Sequence, residues 1–382
     1  MRFTLPRTAR AHLAVPAITS PLTIGNSIMP PRARLAPLAA LTLALAACHA
    51  GAPITITNAP VRSATVGANA MAPSRIDRLD PAFDAIVPPG ATIEKLADGF
   101  DWTEGPVWRR DRGYLLFSDI PKNTVYKWKD GEGISVFMRP AGYTGSTPQG
   151  LELGTNGLTL DAQGRIVFAD HGNRLIARLN DTNFTRTVLA DRYEGKRFNS
   201  PNDLIYRANG DLYFTDPPYG LFKRNDDPNK ELSFNGIYRL TPSGTLTMLA
   251  RDLSFPNGIA ISPDGNTLYV ALSDGKNPYI YAYDIQGDGT VANRRVFFDA
   301  GPLVAKKLAG ALDGMKVDAK GNVFATAPGG VVVLSPQGKH LGTIYAGDVT
   351  ANVAFGDDGS TLYMTSNHAL MRVRTTTKGQ GF

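Results

Sequence analysis

Residues 202–216, with the sequence NDLIYRANGDLYFTD, decide the fold. A short apolar run follows Asn202, a turn is expected around Gly210, and a second run of alternating Leu, Tyr, Phe and Thr comes after it. This pattern is typical of two antiparallel strands joined by a tight turn. It occurs six times, and its turn glycines, which lie 38 to 56 residues apart, are Gly113, Gly164, Gly210, Gly265, Gly321 and Gly359.

A repeat of this length predicts a propeller. Four short strands and their turns need about 40–50 residues, which is the period of one propeller blade. Further alternating runs, such as those at 124–128 and 236–240, fit outer strands, and no long helical period interrupts them. We therefore predict an all-β, six-bladed β-propeller over residues 91–375. We expect the segment at 92–97 to close the last blade, because pairing the two ends of the chain removes a free sheet edge.

The excess positive charge of the chain lies at its N-terminus. The formal net charge is +6, and residues 1–47 contain five arginines but no Asp, Glu or Lys. The rest of the chain is close to neutral, which excludes the basic surface that a nucleic-acid-binding protein needs. With 39 Gly, 27 Pro and 19% charged residues, the composition is that of a turn-rich globular protein.

The charged N-terminus has the features of an export signal. Arg32 and Arg34 precede an apolar run at 35–47, which is long enough for a signal-peptide core and short for a membrane span. We predict a signal peptide at residues 1–47, with Met29 as an alternative true start.

The cysteine that follows this signal indicates lipidation. Cys48 is the only cysteine in the chain and follows Leu-Ala-Ala, as at a bacterial lipoprotein processing site. A plain secretory signal with a chance cysteine is the alternative. We predict a lipidated, flexible tether at 48–90. The protein would then be exported and held at the periplasmic face of the outer membrane through Cys48 alone.

Each repeat begins its first strand with an oxygen-bearing side chain. Seven to nine residues before the turn glycines stand six residues, called the axial residues below: Glu104, Asn156, Asn202, Asn257, Asp313 and Asn352. Equivalent positions in a sixfold array point to one axis, so these side chains should converge. Carboxylates with several amide oxygens suit Ca²⁺, whereas Zn²⁺ prefers nitrogen and sulfur, and Mg²⁺ or Mn²⁺ remain alternatives. Any one of these Asn-Gly or Asp-Gly pairs would be an ordinary turn, but six in phase favour a cation site.

Four motifs around the axial residues resemble the gluconolactonase and regucalcin family of propellers. They are Thr103-Glu-Gly-Pro-Val-Trp108, Ser200-Pro-Asn-Asp-Leu204, Phe255-Pro-Asn-Gly258 and Leu312-Asp-Gly-Met315, and the resemblance covers residues 92–373. Asn156-Gly-Leu-Thr159 and Phe214-Thr-Asp-Pro-Pro-Tyr-Gly220 resemble the bacterial gluconolactonase branch of that family. Diisopropyl-fluorophosphatase is a more distant relative.

The resemblance implies a metal-dependent lactonase that acts on an aldonolactone such as a glucono-lactone. It implies that Glu104, Asn202, Asn257 and Asp313 hold the divalent ion, which is Ca²⁺ or Zn²⁺ in most members. A bound divalent ion would polarise the lactone carbonyl for attack by water. We predict Asp313 as the base, although the matching residue of the phosphatase relative is argued to be a nucleophile. Glu104 is then a permanent ligand at the catalytic centre, and Asp203 assists the base or binds a sugar hydroxyl.

Further polar residues are candidates for substrate binding. They are Asn156, His171, Arg197, Asp216, Asn352 and His368, while Gln149 and Glu152 lie in the long loop before the second blade. A lone histidine is more often structural than a proton carrier. Regucalcin-type members carry an arginine two residues before the third axial residue, where this sequence has Ser200 and where Arg197 is the nearest arginine. The substrate of that branch is therefore not transferred to this chain.

Two other functions also fit the sequence. The same site could hydrolyse organophosphates or aryl esters, because metal-assisted attack on carbonyl and phosphoryl centres makes similar demands on the ion. A non-catalytic interaction propeller is the second alternative, but such a protein has no need for two axial carboxylates. We expect a small-molecule lactone as the partner, and a monomer or weak oligomer.

We expect Cys48→Ser to release the exported chain from the membrane, because the thiol that would carry the lipid is lost. Fractionation of expressing cells should find the variant in the soluble fraction and the unchanged chain in the membrane fraction. Recovery of the variant with the membranes would contradict anchoring through this residue.

Overall fold

A computed structural model describes residues 71–148 and 150–382. These residues form six antiparallel sheets arranged as the blades of a propeller, which confirms the predicted all-β, six-bladed fold. Within the described residues, no helix is long and apolar enough to cross a membrane. The predicted signal peptide, Cys48 and Gln149 lie outside the described residues.

The first strands of the chain precede the first blade and join later ones. They are β1 (Arg75–Arg78) and β2 (Ile93–Asp98), with a 3₁₀ helix at Pro81–Ala85 between them. Blade one then contains β3 (Thr103–Arg109), β4 (Tyr114–Asp119), β5 (Thr124–Lys129) and β6 (Gly133–Met138), ordered from the axis outward. Blade two contains β7 (Thr155–Leu160), β8 (Ile166–Asp170), β9 (Leu175–Leu179) and β10 (Arg186–Ala190).

The later blades follow the same order. A short hairpin, β11 (Arg192–Tyr193) and β12 (Lys196–Arg197), leads to blade three. Blade three contains β13 (Leu204–Tyr206), β14 (Leu212–Asp216), β15 (Asn235–Leu240) and β16 (Leu246–Leu253), with a 3₁₀ turn at Arg224–Asp226 between β14 and β15. Blade four contains β17 (Pro256–Ile261), β18 (Thr267–Leu272), β19 (Tyr279–Ile285) and β20 (Val291–Asp299), and the short helix α1 (Gly301–Ala305) follows it. Blade five contains β21 (Met315–Val317), β22 (Val323–Ala327), β23 (Gly330–Leu334) and β24 (His340–Tyr345), and blade six contains β25 (Asn352–Gly356), β26 (Thr361–Ser366) and β27 (Ala369–Arg374).

The predicted turns join the first two strands of every blade. All six turn glycines have positive φ, between 64° and 93°. A residue with a Cβ is strained in that conformation. The repeated glycine is therefore required by the backbone of each hairpin.

The core lies between the blades. Each of six apolar clusters is built from two neighbouring sheets, so the second strands, such as β4 and β8, are buried along their whole length. The last cluster joins blades six and one, where the rings of Trp108 and Tyr363 stack with their centroids 5.5 Å apart. Packing between neighbouring blades thus closes the ring.

The N-terminal segment completes that closure. β2 pairs antiparallel with β27 as the outermost strand of blade six, with Ile93 opposite Val373. The sequence-based expectation of a closing strand at 92–97 is confirmed. Because β2 and β25–β27 share one sheet, the outer edge of β27 is paired within the protein.

The prediction of a flexible tether to residue 90 is wrong over residues 75–90. β1 pairs with β24 as a fifth strand of blade five, and Asp80 caps the following 3₁₀ helix by accepting a hydrogen bond from the Ala82 N–H at 2.8 Å. Phe83 and Val87 are fully buried between blades five and six. A four-residue strand and one helical turn are too short to give a detectable period, which is why the sequence pattern concealed them.

The chain also continues as ordered structure beyond the predicted end at 375. The Gln380 N–H donates to the Val317 carbonyl at 3.0 Å, and the Thr377 hydroxyl donates to Asp318 at 2.7 Å. The Phe382 ring lies under the Arg110 guanidinium, 3.7 Å from ring centroid to Cζ. This segment lies at the end of the channel remote from the axial residues and links blades one and five.

We expect Phe83→Ala to lower the free energy of unfolding by about 3–5 kcal/mol, because it leaves a cavity between two blades. Leu79→Ala, in the same segment but 61% exposed, is the matched control and should change it by less than about 0.5 kcal/mol. Denaturant unfolding followed by circular dichroism measures both. Equal effects of the two variants would show that residues 75–90 are no part of the fold.

Candidate active site

The axial residues of neighbouring blades lie against one another around the axis. A Cβ added to Gly105 would overlap the Asn156 carbonyl oxygen, and one added to Gly258 would overlap that of Asp313. The Gly157 N–H donates to the Asn202 carbonyl at 2.9 Å. Residues far apart in sequence are thereby brought together at the inner strands, as the repeat predicted.

Local irregularities at the start of the inner strands aim these side chains. The pairing register shifts between Glu104 and Val107, between Thr155 and Leu158, and between Pro256 and Ile259. Such bulges turn a strand locally and redirect its side chains. Three axial residues, Glu104, Asn156 and Asn257, lie inside these bulges.

Carboxyl groups crowd at the axis. Glu104 is 2% exposed, and burial raises its pKa to about 8, with Asp203 and Glu152 adding to the rise. Burial, followed by repulsion from Glu104, Asp203 and Glu152, raises the pKa of Asp313 well above its usual range. Because each carboxylate disfavours the charge of the next, the group as a whole favours a nearby positive charge.

Asp203 is buried directly beside the axial Asn202. Its carboxylate accepts hydrogen bonds from the Leu204 N–H at 2.9 Å and the Ile259 N–H at 3.4 Å, which ties blade three to blade four. Burial raises the pKa of Asp203, and the Lys316 ammonium opposes that rise. Asp203, which was predicted to assist the base, therefore also holds blades three and four together.

Two axial amides present oxygen atoms without a partner. The Asn257 side-chain N–H donates to the Ser273 hydroxyl at 2.8 Å, and that hydroxyl donates to the Leu312 carbonyl at 2.5 Å, so the amide orientation is fixed. Oδ1 of Asn257 and Oδ1 of Asn156 are buried and accept no hydrogen bond. Buried polar atoms normally have a partner, and orphan acceptors beside carboxylates fit a cation.

The amide of Asn352, the sixth axial residue, is hydrogen-bonded at both ends. The Asn352 side-chain N–H donates to Glu104 Oε2 at 3.2 Å, while its Oδ1 accepts from the Val353 N–H at 2.9 Å. Its amide is therefore satisfied within the protein and orients Glu104.

The donor set suits a hard cation. Among the described residues, no three His, Cys, Asp or Glu side chains form a metal-binding group. Carboxylate and amide oxygens are the ligands that Ca²⁺ takes, six to eight at a time, whereas zinc sites use nitrogen and sulfur. Glu104, Asn202, Asn257 and Asp313, which the family resemblance predicted as ligands, carry oxygens of this kind.

His171 and Glu152 meet at the rim of the site. His171, which directly follows β8, is buried, and its Nδ1 lies 2.6 Å from Glu152 Oε2. Its Nε2 lies 3.3 Å from Asn156 Nδ2. Both residues were candidates on sequence grounds, but their pairing was not foreseen, because a loop and a strand end become neighbours only in the fold.

Three other candidates make their contacts away from the axial residues. Asp216 accepts the Asn199 and Ser200 N–H groups, each at 2.8 Å, and so holds the loop before Asn202. Burial raises its pKa to about 7. The Arg197 guanidinium donates to the Asn173 carbonyl at 3.2 Å, and His368 Nδ1 donates to the Phe100 carbonyl at 2.9 Å.

The sequence analysis missed Tyr219, Ser273 and Lys316. Burial, with a further contribution from the charge of Asp313, raises the pKa of the Tyr219 hydroxyl. The Tyr219 ring stacks on Phe255 with the ring centroids 5.6 Å apart. Lys316 is the only basic residue three positions after an axial residue. A basic residue at one repeat position alone could have identified Lys316 from the sequence, whereas nothing in the sequence distinguished Ser273.

Comparison with known proteins identifies the family of the chain. The sequence matches the SMP-30/Gluconolactonase/LRE-like region over residues 102–368. The chain belongs to this family. Membership confirms the family predicted from the four motifs.

Relatives of this SMP-30/gluconolactonase chain span most of its length. A gluconolactonase of Zymomonas mobilis subsp. mobilis is 40% identical over 352 residues, which are 89% of this chain and 96% of that protein. A pentonolactonase of Haloferax volcanii is 27% identical over 69% of this chain and 80% of that protein. The solved structure of a gluconolactonase from Xanthomonas campestris is 32% identical, with a TM-score of 0.69 over 82% of this chain and 99% of that one.

Ser200 stands where the family resemblance described above has an arginine in regucalcin-type members. Its hydroxyl donates to the Pro217 carbonyl at 2.6 Å and accepts from the Gly220 N–H at 2.9 Å. The side chain is buried in the loop and provides no cationic group for a substrate. The expected arginine is thus replaced by a residue that fixes the loop.

Proposed function

We propose that this protein hydrolyses an aldonolactone with the help of one divalent cation, preferably Ca²⁺, held at the axis by Glu104, Asn202, Asn257 and Asp313. The observation that carries the proposal is the orphan Oδ1 of Asn257 beside carboxyl groups that raise one another's pKa. Family membership confirms the predicted enzyme class, a lactonase.

The cation would supply Lewis-acid chemistry, because a bound divalent ion stabilises the negative charge that develops on a carbonyl oxygen under attack. Asp313 is the proposed base that takes a proton from the attacking water. A base works best when its pKa is close to the working pH. Burial, followed by repulsion from Glu104 and Asp203, raises the pKa of Asp313.

The reaction balances with water as the only co-reactant. The water oxygen forms a bond to the carbonyl carbon, the bond from that carbon to the ring oxygen breaks, and the proton held by Asp313 passes to the ring oxygen. The product is a hydroxy acid. Asn352 holds the Glu104 carboxylate in place throughout.

The substrate class is argued from the relatives. Those of 40% and 27% identity are named gluconolactonase and pentonolactonase. Both names denote lactones of aldonic acids, which differ in the number of carbons. We propose the same substrate class for this chain. We do not propose the arginine contact to sugar hydroxyls of regucalcin-type members, because Ser200 stands at that position.

The place of action is a separate proposal. We infer from the export signal at 1–47 and from Cys48 that the protein acts at the periplasmic face of the outer membrane. The support is the sequence of the N-terminus, with its arginines, apolar run and single cysteine. A monomer or weak oligomer stays a prediction.

We expect treatment with a chelator to abolish hydrolysis of glucono-δ-lactone and pentonolactones, and CaCl₂ to restore it, because charge stabilisation at the carbonyl is lost with the ion. A pH-stat assay of acid release measures this, with Zn²⁺, Mg²⁺ and Mn²⁺ as further add-back arms. Turnover of aryl esters or organophosphates without lactones would favour the alternative hydrolase. Full activity in chelator would overturn the proposal.

We expect Asp313→Ala to lower kcat about 10²–10⁴-fold, the usual contribution of a general base. The fold should be retained, because Asp313 lies in the loop just before β21 and outside the inter-blade apolar clusters. Asp252→Ala, an exposed aspartate whose side chain is 61% exposed, is the control and should leave kcat unchanged. A fully active Asp313→Ala protein would remove this residue from the mechanism.

A further inference from the structure

A hydrogen-bonded chain of three side chains runs from the rim to the axis. Glu152 Oε2 lies 2.6 Å from His171 Nδ1, and His171 Nε2 lies 3.3 Å from Asn156 Nδ2. His171 and Asn156 are buried, while Glu152 lies in the loop before blade two. The axial residue is therefore in contact with a loop residue through one imidazole.

This chain fixes which way the Asn156 amide points. Glu152 Oε2 can only accept, so Nδ1 of His171 carries a proton, and Nε2, which faces the Asn156 NH₂ group, is the acceptor of that contact. The only group that Asn156 can offer to an acceptor is its NH₂. Its Oδ1 must then lie on the side away from His171.

The backbone of Asn156 lies between those of two residues proposed to hold the cation. Asn156 contacts Gly105, next to Glu104, on one side, and Gly157 contacts Asn202 on the other. Oδ1 of Asn156 is buried and accepts no hydrogen bond from the described residues. Asn352 makes the contrast, since both ends of its amide are bonded within the protein.

We infer that Asn156 is a fifth oxygen donor to the axial cation, and that Glu152 and His171 are positioning residues that hold its amide in the ligating orientation. The inference rests on the proposed function. Ca²⁺ takes six to eight oxygens, so four protein ligands leave room for a fifth. Partners that orient a ligand commonly change metal affinity by about 10–100-fold when they are removed.

The test is a calorimetric titration of CaCl₂ into the chelator-stripped full chain. Asn156→Leu keeps the size of the side chain without its oxygen and should weaken Ca²⁺ binding at least about tenfold. His171→Phe keeps a ring without nitrogens and should weaken it several-fold. The double variant should bind no more weakly than Asn156→Leu, because His171 acts only through Asn156.

Glu152 offers a matched pair that separates positioning from charge. Glu152→Gln and Glu152→Leu both remove the negative charge, but only Gln keeps an oxygen that accepts the His171 Nδ1–H. We expect Leu to weaken Ca²⁺ binding more than Gln. Because Glu152 lies in a partly exposed loop, both variants should fold, and they keep the test decisive if His171→Phe does not fold.

The outcomes distinguish the two proposals. If the unchanged chain binds no Ca²⁺ and its activity does not change with chelator, the proposed cation-dependent function is overturned. If the unchanged chain binds Ca²⁺ but Asn156→Leu binds it equally well, only this inference is overturned. Equal affinities of the two Glu152 variants, or additive losses in the double variant, would overturn the positioning roles. His340→Phe, on β24 of blade five, is the control and should leave the affinity unchanged.

Discussion

The close approach of six inner strands around one axis is the constraint on which the rest of the structure depends. At Gly105 and Gly258 there is no room for even a Cβ beside the neighbouring backbone. Bulges at the same level turn the axial side chains inward. The grouping of the axial residues is therefore a consequence of closing the ring, and it brings together residues from separate segments of the chain.

This convergence is electrostatically unfavourable in the protein alone. Glu104, Asp203 and Asp313 disfavour one another's ionisation, and the Lys316 ammonium opposes the rise in the pKa of Asp203 that burial causes. The fold tolerates the repulsion among these carboxyl groups because the burial of apolar side chains between the blades supplies most of its stability. Carboxyl groups that raise one another's pKa, flanked by amide oxygens without hydrogen-bond partners, favour the binding of a positively charged ligand.

The ends of the chain secure the geometry. β2 completes blade six, β1 and Phe83 cover the junction of blades five and six, and the segment to Phe382 links two blades at the remote end of the channel. These elements lie far from the axial residues, but they hold the blades that carry Asp313 and Asn352. Residues predicted to be a mere tether thus support the site.

The sequence by itself determined the fold and the membership of the axial ring. A repeated glycine turn with alternating strands fixes the blade, and symmetry then places Glu104 and its equivalents on one axis. Only the tertiary structure decided how each axial group is used: Asn257 and Asn156 present free oxygens, whereas Asn352 is bonded to Glu104. The physical reason is that a repeat specifies backbone positions. The orientation of an amide depends on the side chains that contact it, such as His171 after β8 and Ser273 after β18, and the repeat does not specify these side chains.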